Sequence, residues 1–149
     1  MRRKDEVSRL RAITEIRELQ RVAAEMETAR AAAILREKNE AKTDAERERQ
    51  SSEEHWLDAV QAPAIRLDLM PLWSARVMRQ GESVQRSSAD AEAASAELKR
   101  RAGNWHAAVA RRDAADTLAC EAAKDEQRRR EEAALQESAD RHIRPRRTP

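Results

Sequence analysis

The sequence predicts an all-α protein in which two long helices form an antiparallel coiled-coil hairpin. Its composition is the first indication: 40% of the 149 residues are hydrophobic and 39% are charged, with no Phe or Tyr and only two Gly. Few bulky side chains and few helix breakers are typical of long helices and coiled coils. The prolines are the second indication, because 1–62 and 72–144 contain none, and helix interiors reject proline. Apolar residues that recur every 3.5 positions on average are the third.

The first helix is predicted over residues 5–61. Its apolar residues alternate four and three apart, which is the spacing of a coiled-coil seam. We expect the seam to consist of Ala12, Ile16, Leu19, Ala23, Met26 and Ala33, with Ile13, Val22 and Ala29 beside them. Residues 37–54 offer only Ala41 and Ala45 as apolar side chains. We expect that segment to be a solvated helix, stabilised mainly by charge pairs four residues apart.

Residues 62–71 are predicted to form the tip, where the chain reverses between Pro63 and Pro71. The residues that precede these prolines, Ala62 and Met70, are expected to leave the helical region. A cluster of large side chains surrounds the tip: Trp56, Leu57, Val60, Ile65, Leu67, Leu69, Met70 and Trp73. Two interpretations stay open. The cluster packs on itself to close the hairpin, or some of its members also bind a partner, since Trp is enriched at interaction hot spots.

The second helix is predicted over residues 72–142, followed by a basic tail at 143–149. Its seam repeats every seven residues at Val77, Val84, Ala91, Leu98 and Trp105, and it continues at Ala119 and Ala133. A companion row is formed by Ala94, Ala108, Ala115 and Ala122. Reversal near residue 66 pairs positions whose numbers sum to about 132. Residues beyond Gln127 would then extend past the N-terminus, and 1–149 would be a single domain.

Charge is segregated along this predicted hairpin. Residues 1–11 carry five basic and two acidic side chains, and the chain from Arg141 onward carries four arginines and no acid. In the other half, 37–54 holds seven acids against four bases and 82–98 holds four against one. The end that contains both termini is therefore basic. It is either an ordinary solvated surface or a surface that docks onto an acidic partner.

Several classes of function are disfavoured by the sequence. The net charge of +2 gives no global field for nucleic acid, and no run approaches the ~18 apolar residues of a membrane span. The N-terminus lacks the apolar region of a secretory signal, so we expect a cytosolic protein. His55, His106 and His142 are too far apart to share a metal ion. Cys120 is expected to be a small packed side chain beside Ala119, and we expect neither enzymatic activity nor a cofactor.

The chain resembles the FliJ/YscO family, the coiled-coil stalk proteins of flagellar and type III secretion export ATPases. The resemblance is carried by "RLRAITEIRELQRVAAEMETARAA" near the N-terminus and by "NWHAAVARRDAADTLACEAAKDEQRRREEAALQESADRHIRPR" near the C-terminus. It implies a helical hairpin whose terminal end enters the pore of a hexameric export ATPase and promotes ring assembly. It also implies contacts with the membrane export gate and secretion chaperones, at the cytoplasmic side of the inner-membrane export apparatus.

Under this resemblance, two surfaces would bind partners. The ATPase-binding residues at the open end would be Arg2, Arg9, Leu10, Arg11, Arg128, Arg129, Arg130, Arg141 and Arg144. The partner-binding residues at the tip would be Trp56, Leu57, Leu69, Met70 and Trp73. Two alternatives stay open: a coiled-coil scaffold that self-associates through its apolar tip, and a binder of nucleic acid or anionic membranes through its basic tail.

Overall fold

Two long helices account for nearly all of the described chain. The computed structural model describes residues 2–64 and 66–143, in which α1 spans Arg2–Gln61 and α2 spans Met70–Ile143, with no strand. These bounds lie within three residues of the predicted 5–61 and 72–142. The two helices pack against each other, which confirms the predicted all-α helical hairpin.

Contacts within the chain divide it into two compact units. The terminal unit consists of Met1–Ala24 and Trp105–Pro149, and the tip unit consists of Glu25–Asn104. Each unit contains a segment of α1 and a segment of α2, so each has its own helix–helix interface. The single domain expected over 1–149 stays a prediction.

The predicted seam of α2 is the face that α2 buries in both units. In the tip unit, Ala91 is buried and Val77, Val84 and Leu98 are half-buried. In the terminal unit, the buried side chains of this seam are Ala108, Ala115 and Ala119. The seam ends near Glu126, because residues 127–141 are all exposed. Ala133 is therefore exposed, as expected for a part of α2 that extends past α1.

The predicted seam of α1 is wrong. Ile16, Leu19 and Met26 are exposed, and so are the alanines that were expected to alternate with them, Ala12, Ala23 and Ala33. The side chains that α1 buries or half-buries also recur every 3.5 residues, but in another phase. In the terminal unit they are Val7, Leu10, Thr14, Arg17, Arg21 and Ala24. In the tip unit they are Thr28, Ala31, Leu35, Lys38, Lys42, Ala45, Ser52, Trp56 and Ala59.

The alanines of α2 explain why the seam of α1 contains polar residues. An alanine leaves space above the helix surface, and the aliphatic stem of a long side chain can fill it while the charged group reaches water. The Lys38 and Lys42 side chains are 38% exposed, and Arg21 is 27% exposed. Long cationic side chains thus contribute packing where a hydrophobic pattern places only leucine or isoleucine. The polar residues of the seam are consequently compatible with a stable interface.

The charged segment 37–54 is helical throughout and has its own short seam. Ala45 is buried, and Ser52 has the smallest exposed fraction among the buried residues, 1%. The Ser52 hydroxyl donates a hydrogen bond to the Glu48 carbonyl at 2.9 Å, so this buried polar group is satisfied. Ion pairs three or four residues apart occur along this segment, as expected: Lys42–Glu46, Arg47–Asp44 and Arg49–Glu53.

The turn between the helices is closed by backbone hydrogen bonds and one ion pair. The Leu69 amide donates to the Arg66 carbonyl at 3.0 Å, and the Trp73 amide donates to the Leu69 carbonyl at 3.1 Å. Arg66 makes two hydrogen bonds to the Asp68 carboxylate, at 3.0 and 2.8 Å. α2 begins at Met70 itself, although Met70 was expected to be non-helical. Pro71 is tolerated there because the first helical residues need no amide partner within the helix.

Ion pairs between the helices give the register within each unit. In the tip unit, Lys38 Nζ lies 3.5 Å from Asp90 Oδ2, and Arg101 pairs with Glu27. In the terminal unit, Arg112 Nε lies 3.4 Å from Glu18 Oε2. The numbers of these partners sum to 128, 128 and 130, against the predicted value of about 132. These sums are two to four below the predicted value, so the register differs slightly from the predicted one.

Candidate functional site

The open end is built by the first turns of α1 and by α2 beyond residue 121. Its predicted residues Arg9, Arg11, Arg128 and Arg129 are exposed. Leu10 is half-buried and belongs to the seam toward α2, so it stabilises the unit rather than forming part of a free surface. The side chain of Arg2 and the whole of Arg144 lie outside the part that the structure describes.

Two shallow grooves between α1 and α2 bring some of these arginines together. Arg11 and Arg130 line one groove of about 480 Å³ with Val7, Glu126 and Gln127. Arg129 lines the second, of about 250 Å³, beside Asp125 and Glu126. The structure therefore places predicted residues from both helices along a common groove, and acidic side chains of α2 lie among them.

The arginines of the open end differ in how their charge is compensated. Arg130 Nε donates to Glu126 Oε1 at 3.0 Å, and Arg141 pairs with Glu137. Arg9, Arg11, Arg128 and Arg129 form no ion pair with the residues whose side chains the structure describes. Among the described side chains of the open end, these four guanidinium groups have no ion-pair partner, and we call them the uncompensated arginines. They can accept an acidic partner without breaking an existing ion pair.

The tip carries the second predicted surface. Four of its residues, Trp56, Leu69, Met70 and Trp73, are half-buried. Leu57, which was also predicted to bind a partner, is 53% exposed. Ile65 lies outside the described residues. The two tryptophans thus help to close the hairpin. The exposed apolar surface of the tip is formed by leucines.

That exposed surface is larger than the sequence indicated. Leu67 is 76% exposed and Leu72 is 65% exposed, so these two residues and Leu57 form what we call the tip leucines. Leu72 was not among the predicted site residues. The sequence could have signalled it, since Leu72 follows Pro71 directly and lies one residue before the half-buried Trp73.

Polar contacts hold the tip in shape. The His55 ring stacks on Trp73 with centroids 6.2 Å apart, and its Nδ1 lies 2.5 Å from the Ser51 carbonyl oxygen. The hydrogen bonds from Arg66 lower the pKa of Asp68, although partial burial opposes the shift. The ionised Asp68 carboxylate keeps its hydrogen bonds to Arg66 and so stabilises the turn at neutral pH. His55 thus has a structural role, because its ring contacts Trp73 and the Ser51 carbonyl.

A third groove, in the terminal unit, was not predicted. It encloses about 640 Å³, and its apolar lining includes Leu19, Ala119, Cys120 and Ala123, with Glu18 and Arg112 at its rim. Cys120 is exposed, contrary to the expectation of a packed side chain. One residue is 100° of helical rotation, so the neighbour of the buried Ala119 turns outward.

Among the described residues, no group of three or more His, Cys, Asp or Glu side chains could hold a metal ion. Neither α1 nor α2, as far as they are described, has a segment long and apolar enough to cross a bilayer.

The chain was compared with known proteins at three levels. No family model, no curated protein and no solved structure matches it. The arguments for its function therefore depend on its own surfaces.

Proposed function

We propose that the protein is a non-enzymatic stalk and regulatory component of a flagellar or type III protein-export ATPase complex. In this role its open end docks onto a hexameric ATPase, promotes assembly of the ring and couples it to the membrane export gate. The observation that supports the proposal most directly is the set of uncompensated arginines Arg9, Arg11, Arg128 and Arg129 on a helical hairpin. Its location would be cytoplasmic, peripheral to the inner-membrane export apparatus.

The extension of α2 past α1 suits this docking. Residues 127–141 form a single exposed helix, which is narrower than the two-helix part of the terminal unit. A lone helix of about 10–12 Å diameter fits an axial pore more readily than a helix pair does. Its arginines would steer it toward acidic groups and orient it on arrival. The narrow end, which begins with Arg128 and Arg129, is thus the part that would enter the ring.

The tip leucines provide a separate surface for the remaining partners. Leu57, Leu67 and Leu72 are exposed on the tip unit, and the acidic segments 37–54 and 82–98 lie on the same unit. An apolar patch with charged surroundings resembles the core and rim of a protein–protein interface. The export gate and secretion chaperones are the partners that the proposal assigns to this surface.

The proposal is tested with the export ATPase of the same organism. Its rate of ATP hydrolysis and its mass are measured with and without this protein, and with a truncated form that ends at Gln127. We expect faster turnover and more hexamer with the full chain, and neither with the truncated form. An unchanged rate and mass, at concentrations where the protein is helical, would contradict the proposal.

A matched pair of variants locates the contact. One replaces Arg9, Arg11, Arg128 and Arg129 with Gln, and the control replaces the same number of exposed arginines of the tip unit with Gln: Arg30, Arg36, Arg76 and Arg79. If each contact contributes 0.2–1 kcal/mol, the first variant should bind the ATPase about tenfold more weakly. The control should bind like the native chain. Equal weakening by both variants would assign the effect to net charge rather than to the open end.

A second candidate function is a coiled-coil scaffold that self-associates through its tip. The exposure of Leu57, Leu67 and Leu72 favours it, because an exposed apolar patch often marks an interaction site. It predicts a mass that rises with concentration in the absence of any ATPase. Replacing Leu67 with Glu should abolish that rise.

A further inference from the structure

The terminal unit exposes a row of apolar side chains on α1. Leu19 is 70% exposed and Ile16 is 54% exposed, and Ile13 and Val22 are exposed on either side of them. Ala12 and Ala23 are exposed at the two ends of the row. We call this set the α1 stripe, which consists of Ala12, Ile13, Ile16, Leu19, Val22 and Ala23.

α2 is not the partner of the α1 stripe. In the terminal unit, the α1 residues that face α2 are Val7, Leu10, Thr14, Arg17 and Arg21. Most of the stripe lies away from this face, although Leu19 also lines the groove beside Ala119 and Cys120. Its central positions 12, 16, 19 and 23 are spaced four, three and four apart. This spacing keeps a row of side chains facing another straight helix. The apolar spacing that predicted the α1 seam is therefore a helix-packing pattern. Within the described part of the single chain, no second helix covers these residues.

The stripe is nearly palindromic, which indicates what that partner helix is. From the two ends inward, Ala12 corresponds to Ala23, Ile13 to Val22 and Ile16 to Leu19. A twofold axis midway along the stripe brings Ile16 of one copy level with Leu19 of the other, and Ala12 level with Ala23. A twofold interface pairs residue i of one copy with residue j of the other, and j with i. A palindromic row therefore places side chains of similar size opposite each other throughout such an interface.

The charged residues of the segment 12–23 lie between the stripe positions, and they do not oppose a second copy. Residues 12–23 contain Glu15, Glu18, Arg17 and Arg21, so the segment has no net charge. Glu18 is already paired, with Arg21 at 2.8 Å and with Arg112 at 3.4 Å. Two identical neutral segments do not repel each other, whereas a strongly acidic or basic partner would find no complementary charge.

From these observations we propose that the α1 stripe is the interface of an antiparallel homodimer. Ile16 of each copy packs against Leu19 of the other, with Ile13 and Val22 at the flanks. Ala12 opposite Ala23 lets the two backbones approach closely at both ends. The proposal does not depend on the export ATPase, and it locates self-association on the terminal unit rather than on the tip leucines.

The first test measures mass against concentration by sedimentation. The native chain should pass from monomer to dimer as its concentration rises. A variant with Ile16→Glu and Leu19→Glu should associate at least about tenfold more weakly, because it loses the central apolar layers. The control, Leu67→Glu at the tip, should dimerise like the native chain. Glu is a strong helix former and Leu67 lies in the turn, so neither variant should lose helix, which circular dichroism verifies.

The second test examines the register. In a Cys120→Ser background, one protein carries Ala12→Cys and another carries Ala23→Cys, and each is treated with a short bis-maleimide cross-linker. The antiparallel dimer predicts that a mixture of the two cross-links much faster than either protein alone. A native chain that stays monomeric, a dimer that Leu67→Glu dissociates, or cross-linking that is equally fast for like pairs would each overturn the proposal.

Discussion

The two helices contrast in how their hydrophobic patterns relate to the structure. In α2 the seven-residue repeat coincides with the buried face, from Val77 to Ala119. In α1 the most regular apolar row, which includes Ile16 and Leu19, faces away from α2. The same periodicity thus marks an interface inside the chain in one helix and an exposed surface in the other.

The difference teaches that a heptad pattern identifies a face that packs, without identifying what it packs against. α2 buries small residues, and α1 meets them with long polar side chains such as Arg21 and Lys42. Because the stems of these side chains supply the contact, the large apolar residues of α1 are available for another partner. An alanine-rich helix therefore makes the seam of its neighbour difficult to recognise.

The largest expected effect comes from two alanines of α1 that lie two residues apart. Ala31 is 6% exposed, whereas Ala33 is exposed although it was predicted to lie in the seam. Replacing Ala31 with Glu should lower the free energy of unfolding by about 2–3 kcal/mol, because a larger charged side chain must be accommodated between the helices. Urea unfolding followed by circular dichroism measures the change.

The matched control is Ala33→Glu, which should change the free energy of unfolding by less than about 0.5 kcal/mol. Both substitutions add the same charge and have the same helix propensity cost. A larger loss for Ala33 than for Ala31 would show that α1 buries the face that its hydrophobic pattern indicates. The observed phase of α1 would then be wrong.

The amount that the sequence could predict follows from the same contrast. Pro63 and Pro71 determine where the helices end, since proline acts on the backbone irrespective of its partners. The seam of α2 was predictable because its apolar residues have only one regular phase. In α1 two phases compete, and the correct one includes Thr14, Arg17 and Lys38, whose burial depends on the alanines opposite. That information lies in the neighbouring helix rather than in α1.

The candidate surfaces show a similar division. The exposure of Arg9, Arg11, Arg128 and Arg129 was predictable, because charged side chains without a buried partner remain in water. The groove beside Cys120 was not, since it depends on which residues of α1 lie next to Ala119 and Ala123. The phase of the buried face of α1 determines which residues these are. Because the sequence analysis predicted another phase, it indicated neither the groove nor the exposure of the α1 stripe.

A smaller effect is expected when the polar seam of α1 is made apolar. Lys42 is half-buried on the face that α1 turns toward α2, and its ion pair with Glu46 is long, at 4.0 Å. Replacing Lys42 with Leu should raise the free energy of unfolding by about 1 kcal/mol, because more apolar area becomes buried and a weak surface ion pair is lost. Thermal unfolding measures the change. The exposed Lys99→Leu is the control, and an equal gain there would mean that leucine acts through helix propensity alone.

The smallest effect concerns an ion-pair network that belongs to α2. Glu97 accepts hydrogen bonds from Arg100, at 2.7 and 2.8 Å, and from Arg101 at 2.6 Å. These bonds lower the pKa of Glu97 from 4.5 to about 2. Because the folded-state pKa is depressed, the contribution of Glu97 to stability is present above pH 4.5 and is lost as the pH falls toward 2. Solvent and salt screen this exposed network, so the contribution is small.

The pH dependence separates this contribution from packing. Glu97→Gln should unfold at a lower urea concentration than the native chain at neutral pH, and the difference should shrink as the pH falls below 4.5. Glu92→Gln, at an exposed position of the same helix, is the control for the loss of one carboxylate. A carboxyl titration by NMR reads the pKa directly. If Glu97 titrates at an ordinary value, its arginine contacts are transient in solution and contribute nothing measurable to the stability of α2.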